Sequence, residues 1–333
     1  MKISIIIPVY NVAPFVADCI HSVMRQTWQG QLECIFVDDC GTDNSMEVVQ
    51  KTIQEYQGSI SFKTVSHEQN RGLSAARNTG MAAATGDYVY FLDSDDEITP
   101  DCIAVMACLL EQEHYDMVIG DYRIVGSGMP KIPLMLSEGQ VLRGKEVLHA
   151  YRQKDWYMMS VNKLYRKALL DQYGLRFREG IIHEDELWSF QIACKAQTLA
   201  CVKKETYIYK LREGSITVRK FAPRRAECMN IILKEMCEFS QQHGMDSDRD
   251  VHHIIQNFRI DCLNKVRLGA PEMLRGFYRD QRQMMTTTWM NSCRINGCDL
   301  KKQVRDFHMA LPLPLAYPYL ELLLRYYEKK SCA

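Results

Sequence analysis

The sequence has no C-x-x-C pair, no G-x-G-x-x-G run and no surplus of charge of either sign, and each absence removes a class of protein. Lysine plus arginine equals aspartate plus glutamate at 41 each, so no overall field draws the chain to nucleic acid. The thirteen cysteines are odd in number and several sit inside apolar periodic segments, which indicates buried free thiols in a reducing cytoplasm and not a secreted disulfide framework. No uninterrupted apolar stretch reaches the ~18 residues that a spanning helix needs. Lys2 followed by Ile3 to Val9 is too short for a signal sequence, contains Pro8 and lacks a small-residue cleavage site, so it reads as a first strand. Without the glycine fingerprint a dinucleotide cofactor is not expected. There is no internal repeat or low-complexity tract, and 333 residues suffice for one large α/β domain with an appendage.

What is present is an alternation. After the apolar run 3–9, Phe15, Val16, Cys19, Ile20 and Val23 recur at helical spacing. Leu32 to Val37 is a second strand, Met46, Val49, Ile53 and Tyr56 mark a second helix, and Ile60 to Val65 is a weaker third strand. An alanine-rich helix from Ser74 to Ala84 precedes the strand beginning at Tyr88. Four such alternations predict a largely parallel, doubly wound sheet with right-handed crossovers, in which ligands bind beyond the carboxyl ends of the strands. Those ends carry Tyr10-Asn11, Asp38-Asp39 and Asp93-Ser94-Asp95. Gly126 to Pro130 reads as a loop, and residues 145–220 alternate short helical and extended pieces that complete the first domain. From 224 to 308 the chain reads as helices, with Met229, Ile232, Met236 and Phe239 as a stripe and Trp289 and Phe307 as anchors.

Four constellations carry chemistry. The run Tyr88 to Leu92 ends in Asp93-Ser94-Asp95-Asp96. Asp93 and Asp95 either share a face of a continuing strand or converge in a turn on one cation, while Asp96 and Glu97 also suit an acidic helix start with Thr99 as cap and Pro100 in the first turn. In Asp38 to Ser45, Asp43 or Ser45 caps the next helix, and the Asp38-Asp39 pair is placed to accept hydrogen bonds from a base or ribose. Asn70 to Gly80 sets glycine at a helix entrance and small residues along one side, with Arg77 either pairing with a phosphate or serving a structural ion pair. His183-Glu184-Asp185-Glu186 is an acidic helix start favoured by the macrodipole, or holds a general base; its stripe comprises Trp188, Ile192 and Leu199.

Ile7 to Asn11, Val37 to Ser45, Asn70 to Gly80, Phe91 to Asp96 and Glu184-Asp185 together, in that order, resemble family 2 glycosyltransferases of the GT-A fold. The resemblance covers residues 1–220. Val161 to Lys167 and Tyr207 to Thr217 are similar to segments of the bacterial capsule, lipopolysaccharide and exopolysaccharide transferases, and residues 221–333 form a C-terminal helical region of acceptor, dimer or membrane-surface role. Cys40 departs from the family, which commonly has glycine, asparagine or a similar small residue there, and this bears on the placement of Asp39.

The resemblance implies that Pro8, Tyr10 and Asn11 line the nucleotide pocket, with Tyr10 against the base, that Asp38 or Asp39 binds the base, that Arg77 sits near the donor phosphates, and that Ser94 belongs to the donor site. Asp93 and Asp95 become the metal pair, Asp185 the catalytic base and Glu184 its support or alternate. It further implies a divalent cation, manganese or magnesium, and inverting transfer from a nucleotide-diphosphate sugar, a UDP-sugar by expectation, to a glycan or lipid-linked glycan. The two other readings are an inactive sugar-nucleotide-binding assembly protein and a nucleotidyltransferase; the latter calls for a glycine- and base-rich phosphate loop that Pro8 to Asn11 does not supply. The stretch Pro318 to Lys330 is expected either to lie on the inner face of the plasma membrane or to pack in a core or homodimer.

Overall fold

The computed structural model describes residues 1–126, 129–211, 223–284 and 287–331. The chain divides into two compact units, Met1–Ser215 and Ile216–Ala333. The expected boundary at 220, Ser127-Gly128 of the expected loop, and 212–217 of the expected subgroup segment lie outside the described residues.

The first unit opens with β1 (Lys2–Val9), α1 (Val16–Met24), β2 (Gln31–Asp38), α2 (Ser45–Gln54), β3 (Ser61–Ser66), α3 (Leu73–Ala83) and β4 (Tyr88–Phe91). These strands lie in the order β3-β2-β1-β4, all parallel. Ile5, Ile6, Ile7, Phe36 and Val37 are fully buried, as an unbroken apolar run covered on both faces requires, each contributing about 1.5–3 kcal/mol. Pro8 is tolerated inside β1 because it faces Val37 on β2, while pairing with β4 ends at Ile6. On α3, a Cβ at Gly80 would come within 2.3 Å of the Ile6 side chain, so its small residues serve the approach of helix to sheet. On α2 the expected stripe is only partly realised: Val49 is buried, Met46 and Ile53 are half-buried, Tyr56 lies past the helix end, and Thr52 is buried with its hydroxyl bonded to the Val48 carbonyl.

The remaining elements are β5 (Glu97–Ile98), α4 (Cys102–Gln112), β6 (Met117–Val125), β7 (Val141–Arg143), α5 (Lys145–Gln153), β8 (Lys163–Arg166), α6 (Lys167–Gln172), α7 (Glu184–Lys195) and β9 (Thr198–Lys210). The sheet continues through β8, β6 and β9 to β5, with β7 also on β9. This half is mixed: β8 is antiparallel to both β4 and β6, and β9 is parallel to β6 but antiparallel to β5 and β7. Asn162, at a positive φ of 58°, pins the junction, since its carboxamide accepts from Tyr90 and Thr206 and donates to the Asp121 carbonyl. Two expectations are corrected here. Glu97 lies in a strand and α4 starts at Cys102, so Thr99-Pro100 precedes the helix; Thr99 Oγ1 instead donates to Asp101. Leu199 belongs to β9 and not to the α7 stripe, because α7 ends at Lys195.

The second unit contains α8 (Pro223–Gln242), α9 (Arg249–Gly269), α10 (Leu274–Gln283), α11 (Trp289–Asn296), α12 (Leu300–Asp306) and α13 (Leu313–Ser331). The predicted α8 stripe of Met229, Ile232, Met236 and Phe239 is buried. Met229, Leu263, Val266, Phe277, Leu320 and Leu324 belong to one core, and Trp289 meets Phe307 edge to face at 5.3 Å. The last helix begins at Leu313, earlier than Pro318, which sits inside it at the cost of one helical hydrogen bond. Among the described residues every cysteine is a free thiol, and no helix is long and apolar enough to cross a membrane.

Candidate active site

Parallel strands bring four chain segments to one sheet edge: Tyr10-Asn11 beyond β1, Asp38-Asp39 at the end of β2, His67 beyond β3 and Asp93 beyond β4. The Asp39 amide donates to the Val9 carbonyl, that of His67 to Asp38 and that of Leu92 to Ile6, so the chain leaves the sheet in register. Tyr10 is 46% exposed, whereas Pro8 and Ser94 are buried. Asn11, at φ 52°, turns its side-chain oxygen to accept from the amides of Thr42 and Asp43, and Gly41 fits under it because a Cβ there would meet that oxygen at 3.1 Å. Asp43 accepts from the Ser45 and Ala13 amides, tying the start of α2 to the same turn.

The structure separates the two adjacent aspartates. Asp39 is buried and its carboxylate accepts four hydrogen bonds, from His67 Nδ1, Asn70 Nδ2 and the amides of Arg71 and Gly72. The last two lie at the entrance of α3, where Gly72 at φ 85° offers no side chain of its own, so Asp39 caps that helix from another strand. Asp38 is half-buried and accepts from the Cys40 amide in an Asx turn. Cys40 takes the left-handed conformation at φ 57°, where the family's commoner glycine or asparagine is less strained. His67 was not singled out from the sequence; its position at the end of a strand beside two other polar strand ends was the available signal.

Helix α3 carries the capped entrance toward a cluster of carboxylates. Arg77 is 1% exposed, its guanidinium lies 5.1 Å from the Phe177 ring, and it binds three acids at once. Nη2 donates to Asp93 Oδ1 at 2.9 Å, and Nη1 to Glu184 Oε1 at 2.8 Å and Asp185 Oδ1 at 3.3 Å. Burial opposes the charge on Arg77, but Asp93, Asp185 and Glu184 outweigh it and hold the guanidinium pKa above its ordinary value. Arg77 is therefore enclosed by carboxylates. Below it, Phe91, Phe177 and Trp188 lock α7 against β4, with the Phe177 and Trp188 rings stacked at 4.1 Å.

The α7 start is an acidic first turn, and Glu184 and Asp185 also join this cluster through Arg77. Burial, then the neighbouring Asp185, push Glu184 up to about 7 against the pull of Arg77. Asp185 is more open and uses only Oδ1 toward Arg77. His183 is the left-handed residue before the helix, at φ 64°.

The strand stops at Phe91, so Asp93 and Asp95 occupy a turn closed by the Asp96 amide on the Asp93 carbonyl. Both are half-buried. Asp96, the expected acid of a helix start, is instead buried and accepts from the Tyr207 hydroxyl at 2.7 Å and the Lys210 amide at 2.8 Å. Burial first, then Asp93 and Asp95, push its carboxyl well above the usual range. Among the described residues no three or more His, Cys, Asp or Glu side chains are arranged to hold an ion by themselves. Asp93 and Asp95, half-buried in one turn, are the oxygen donors that could hold magnesium or manganese, since such ions take one or two carboxylates and complete their shell with phosphate and water.

A mixed α/β sheet flanked by helices, with an acidic turn after its fourth strand and a second acid pair on a later helix, matches the GT-A fold. A protein-family model for glycosyl transferase family 2 matches residues 4–174. The uncharacterized glycosyltransferase EpsJ of Bacillus subtilis is 31% identical over 293 residues, 85% of this chain and 83% of that protein. The poly(ribitol-phosphate) beta-N-acetylglucosaminyltransferase TarS of Staphylococcus aureus is 28% identical over 220 residues, 64% of this chain and 36% of that protein. In structure, S. aureus TarS 1-349 in complex with UDP-GlcNAc matches with a TM-score of 0.69 at 20% identity, over 99% of this chain and 92% of that one, a likeness of fold. The chain belongs to glycosyltransferase family 2 and is a glycosyltransferase.

Proposed function

We propose that this glycosyltransferase performs a single, inverting displacement on a UDP-sugar, with Asp185 as base and Asp93 and Asp95 as the holders of a divalent cation. The observation that carries the reading is the Arg77 bridge, which sets Asp93 and the Glu184-Asp185 pair on one guanidinium. Manganese or magnesium bound there supplies charge neutralisation and orientation for a diphosphate leaving group. The rest is done by the chain. Asp185 Oδ1 is held by Arg77, which leaves Oδ2 to take the proton of the acceptor hydroxyl as that oxygen attacks the anomeric carbon and the bond to the diphosphate breaks. Arg77 acts as a positioning residue, because Nη1 and Nη2 are turned to carboxylates. Glu184 supports Asp185, with its carboxyl pushed up to about 7 by burial and by Asp185. Tyr10, exposed at the end of β1, stacks on the base. Pro8 and Asn11 shape the turn beneath it, Asp38 faces the base, Asp39 fixes the wall through Asn70 and the entrance of α3, and Ser94 backs the donor phosphates from the acidic turn.

The UDP-GlcNAc held by TarS supports a UDP-sugar donor, and its poly(ribitol-phosphate) acceptor supports a surface glycan. The helical region from Pro223 is assigned to the acceptor, in the cytoplasm. Helix α13 exposes Leu313, Leu315, Leu322 and Tyr326 while burying Ala316, Leu320 and Leu324, which supports a peripheral contact with a membrane bearing a lipid-linked glycan, or a homodimer. Because that helix is part of a core, surface substitutions test the contact better than deletion: Leu315→Asn with Leu322→Asn lowers retention on anionic vesicles, and unchanged retention removes the membrane contact. For the reaction, a panel of nucleotide sugars is incubated with manganese or with chelator. Metal-dependent release of UDP is expected, and no turnover of any donor would overturn the assignment.

A further inference from the structure

Asp93, Asp95 and Asp96 crowd into one short turn after β4, and like charges so close repel, so the turn needs holders from outside itself. Within it, one bond runs from the Asp96 amide to the Asp93 carbonyl at 3.0 Å. The other holders come from distant elements. Cys19 Sγ on α1 reaches the same Asp93 carbonyl at 3.6 Å, and Arg77 takes Asp93 Oδ1. From β9, the Tyr207 hydroxyl accepts from the Asp93 amide at 3.3 Å and donates to Asp96 Oδ2 at 2.7 Å.

Tyr207 is fully buried, and its pairing with Ile98 of β5 brings the hydroxyl to this turn. One oxygen thereby ties the first residue of the turn to the last. The Lys210 amide takes Asp96 Oδ1, so both oxygens of Asp96 are held. The Lys210 ammonium is turned elsewhere, to Glu97 and Asp18. An ammonium in place of the hydroxyl would pair with the acids of the turn and compete with a metal ion. A neutral hydroxyl fixes the backbone and brings no charge to it. Preset spacing of the carboxylates matters here because magnesium demands near-ideal octahedral geometry.

We propose that Tyr207 is a positioning residue for the cation, its hydroxyl bracing the turn so that Asp93 and Asp95 stay within reach of one ion. The inference rests on the reading of Asp93 and Asp95 as the holders of that ion. It adds to that reading a residue 111 positions beyond Asp96, which acts through the turn.

The test measures manganese binding to the full chain in the presence of UDP, from the loss of the free ion's electron paramagnetic resonance signal. Tyr207→Phe keeps the ring in the core and is expected to weaken manganese binding by about tenfold, with UDP affinity in chelator unchanged. If the hydroxyl is merely structural, the unfolding midpoint falls while the folded chain keeps its manganese affinity, and that result would overturn the proposal. Asp95→Asn separates the two claims. If that variant binds manganese as well as the unsubstituted chain, or the unsubstituted chain binds none, the reading of the turn fails and the proposal with it. If Asp95→Asn loses manganese while Tyr207→Phe keeps it in full, only the role of Tyr207 fails. Asp96→Asn, whose single side-chain oxygen no longer offers a carboxylate to both donors, serves where Tyr207→Phe does not fold. Its manganese affinity is expected to fall as well, and an undiminished affinity would refute the bracing.

Discussion

The two units bury charge in opposite proportion. Around Arg77 one guanidinium serves Asp93, Glu184 and Asp185, with Asp96 close behind. Around Asp306 one carboxylate stands against Arg305 and Arg259. Packing alone favours neither arrangement, because each leaves like charges in a medium that penalises them. In the first unit the acids outnumber the one cation that bridges them, whereas in the second Asp306 is saturated by Arg305, Ser292 and Asn296. The first arrangement holds its acids only half-neutralised; the second satisfies its carboxylate within the unit.

The largest expected effect is on the first unit's chemistry. Asp185→Asn should lower turnover by about 10²–10⁴-fold while leaving nucleotide-sugar affinity intact, measured by UDP release and calorimetry. Asp95→Asn should instead weaken metal-dependent donor binding, and equal loss of binding in both would dissolve the division of roles. Next, Arg77→Met should cost about 3–5 kcal/mol in urea unfolding, since three acids lose their one cation; a small loss would show that those acids are neutralised in some other way.

A finer test uses pH. The Glu184 carboxyl is raised from 4.5 to about 7 in the folded chain, so the native state holds a proton that the unfolded state releases earlier. Its contribution is then most favourable below about pH 4.5, declines as pH rises toward 7 and is constant above. Glu184→Gln should flatten this part of the stability profile. A slope that survives in the variant would place the titration on another group. The smallest effect belongs to the helical unit: Asp248 caps α9 by accepting from the Asp250 and Val251 amides, and Asp248→Ala should lower stability by about 1 kcal/mol with no change in transfer.

The alternation of strands and helices was legible because a parallel sheet buried on both faces demands continuous apolar runs, as at Ile3 to Val9. The mixed half was less so. β5 is two residues long, and what fixes it is the pairing of Glu97 and Ile98 with Ile208 and Tyr207, more than a hundred positions away. The same distance hid the role of Asp96, whose partners are Tyr207 and Lys210. Arg77 presented an open choice between phosphate and ion pair, and its bonds to Glu184 and Asp185 depend on the placement of α7, which is not local in the chain. Period and capping are local in the chain, while charge pairing at this site is not, which is why the elements could be drawn more fully than the contacts between them.

The bond from Arg77 to Glu184 joins residues 107 positions apart. A ribosome releases the amino end first, so β1 to β4 emerge well before α7, and the acidic turn waits longer still for Tyr207 and Lys210, which hold Asp96. The carboxylate cluster is therefore complete only once the chain has emerged past Lys210.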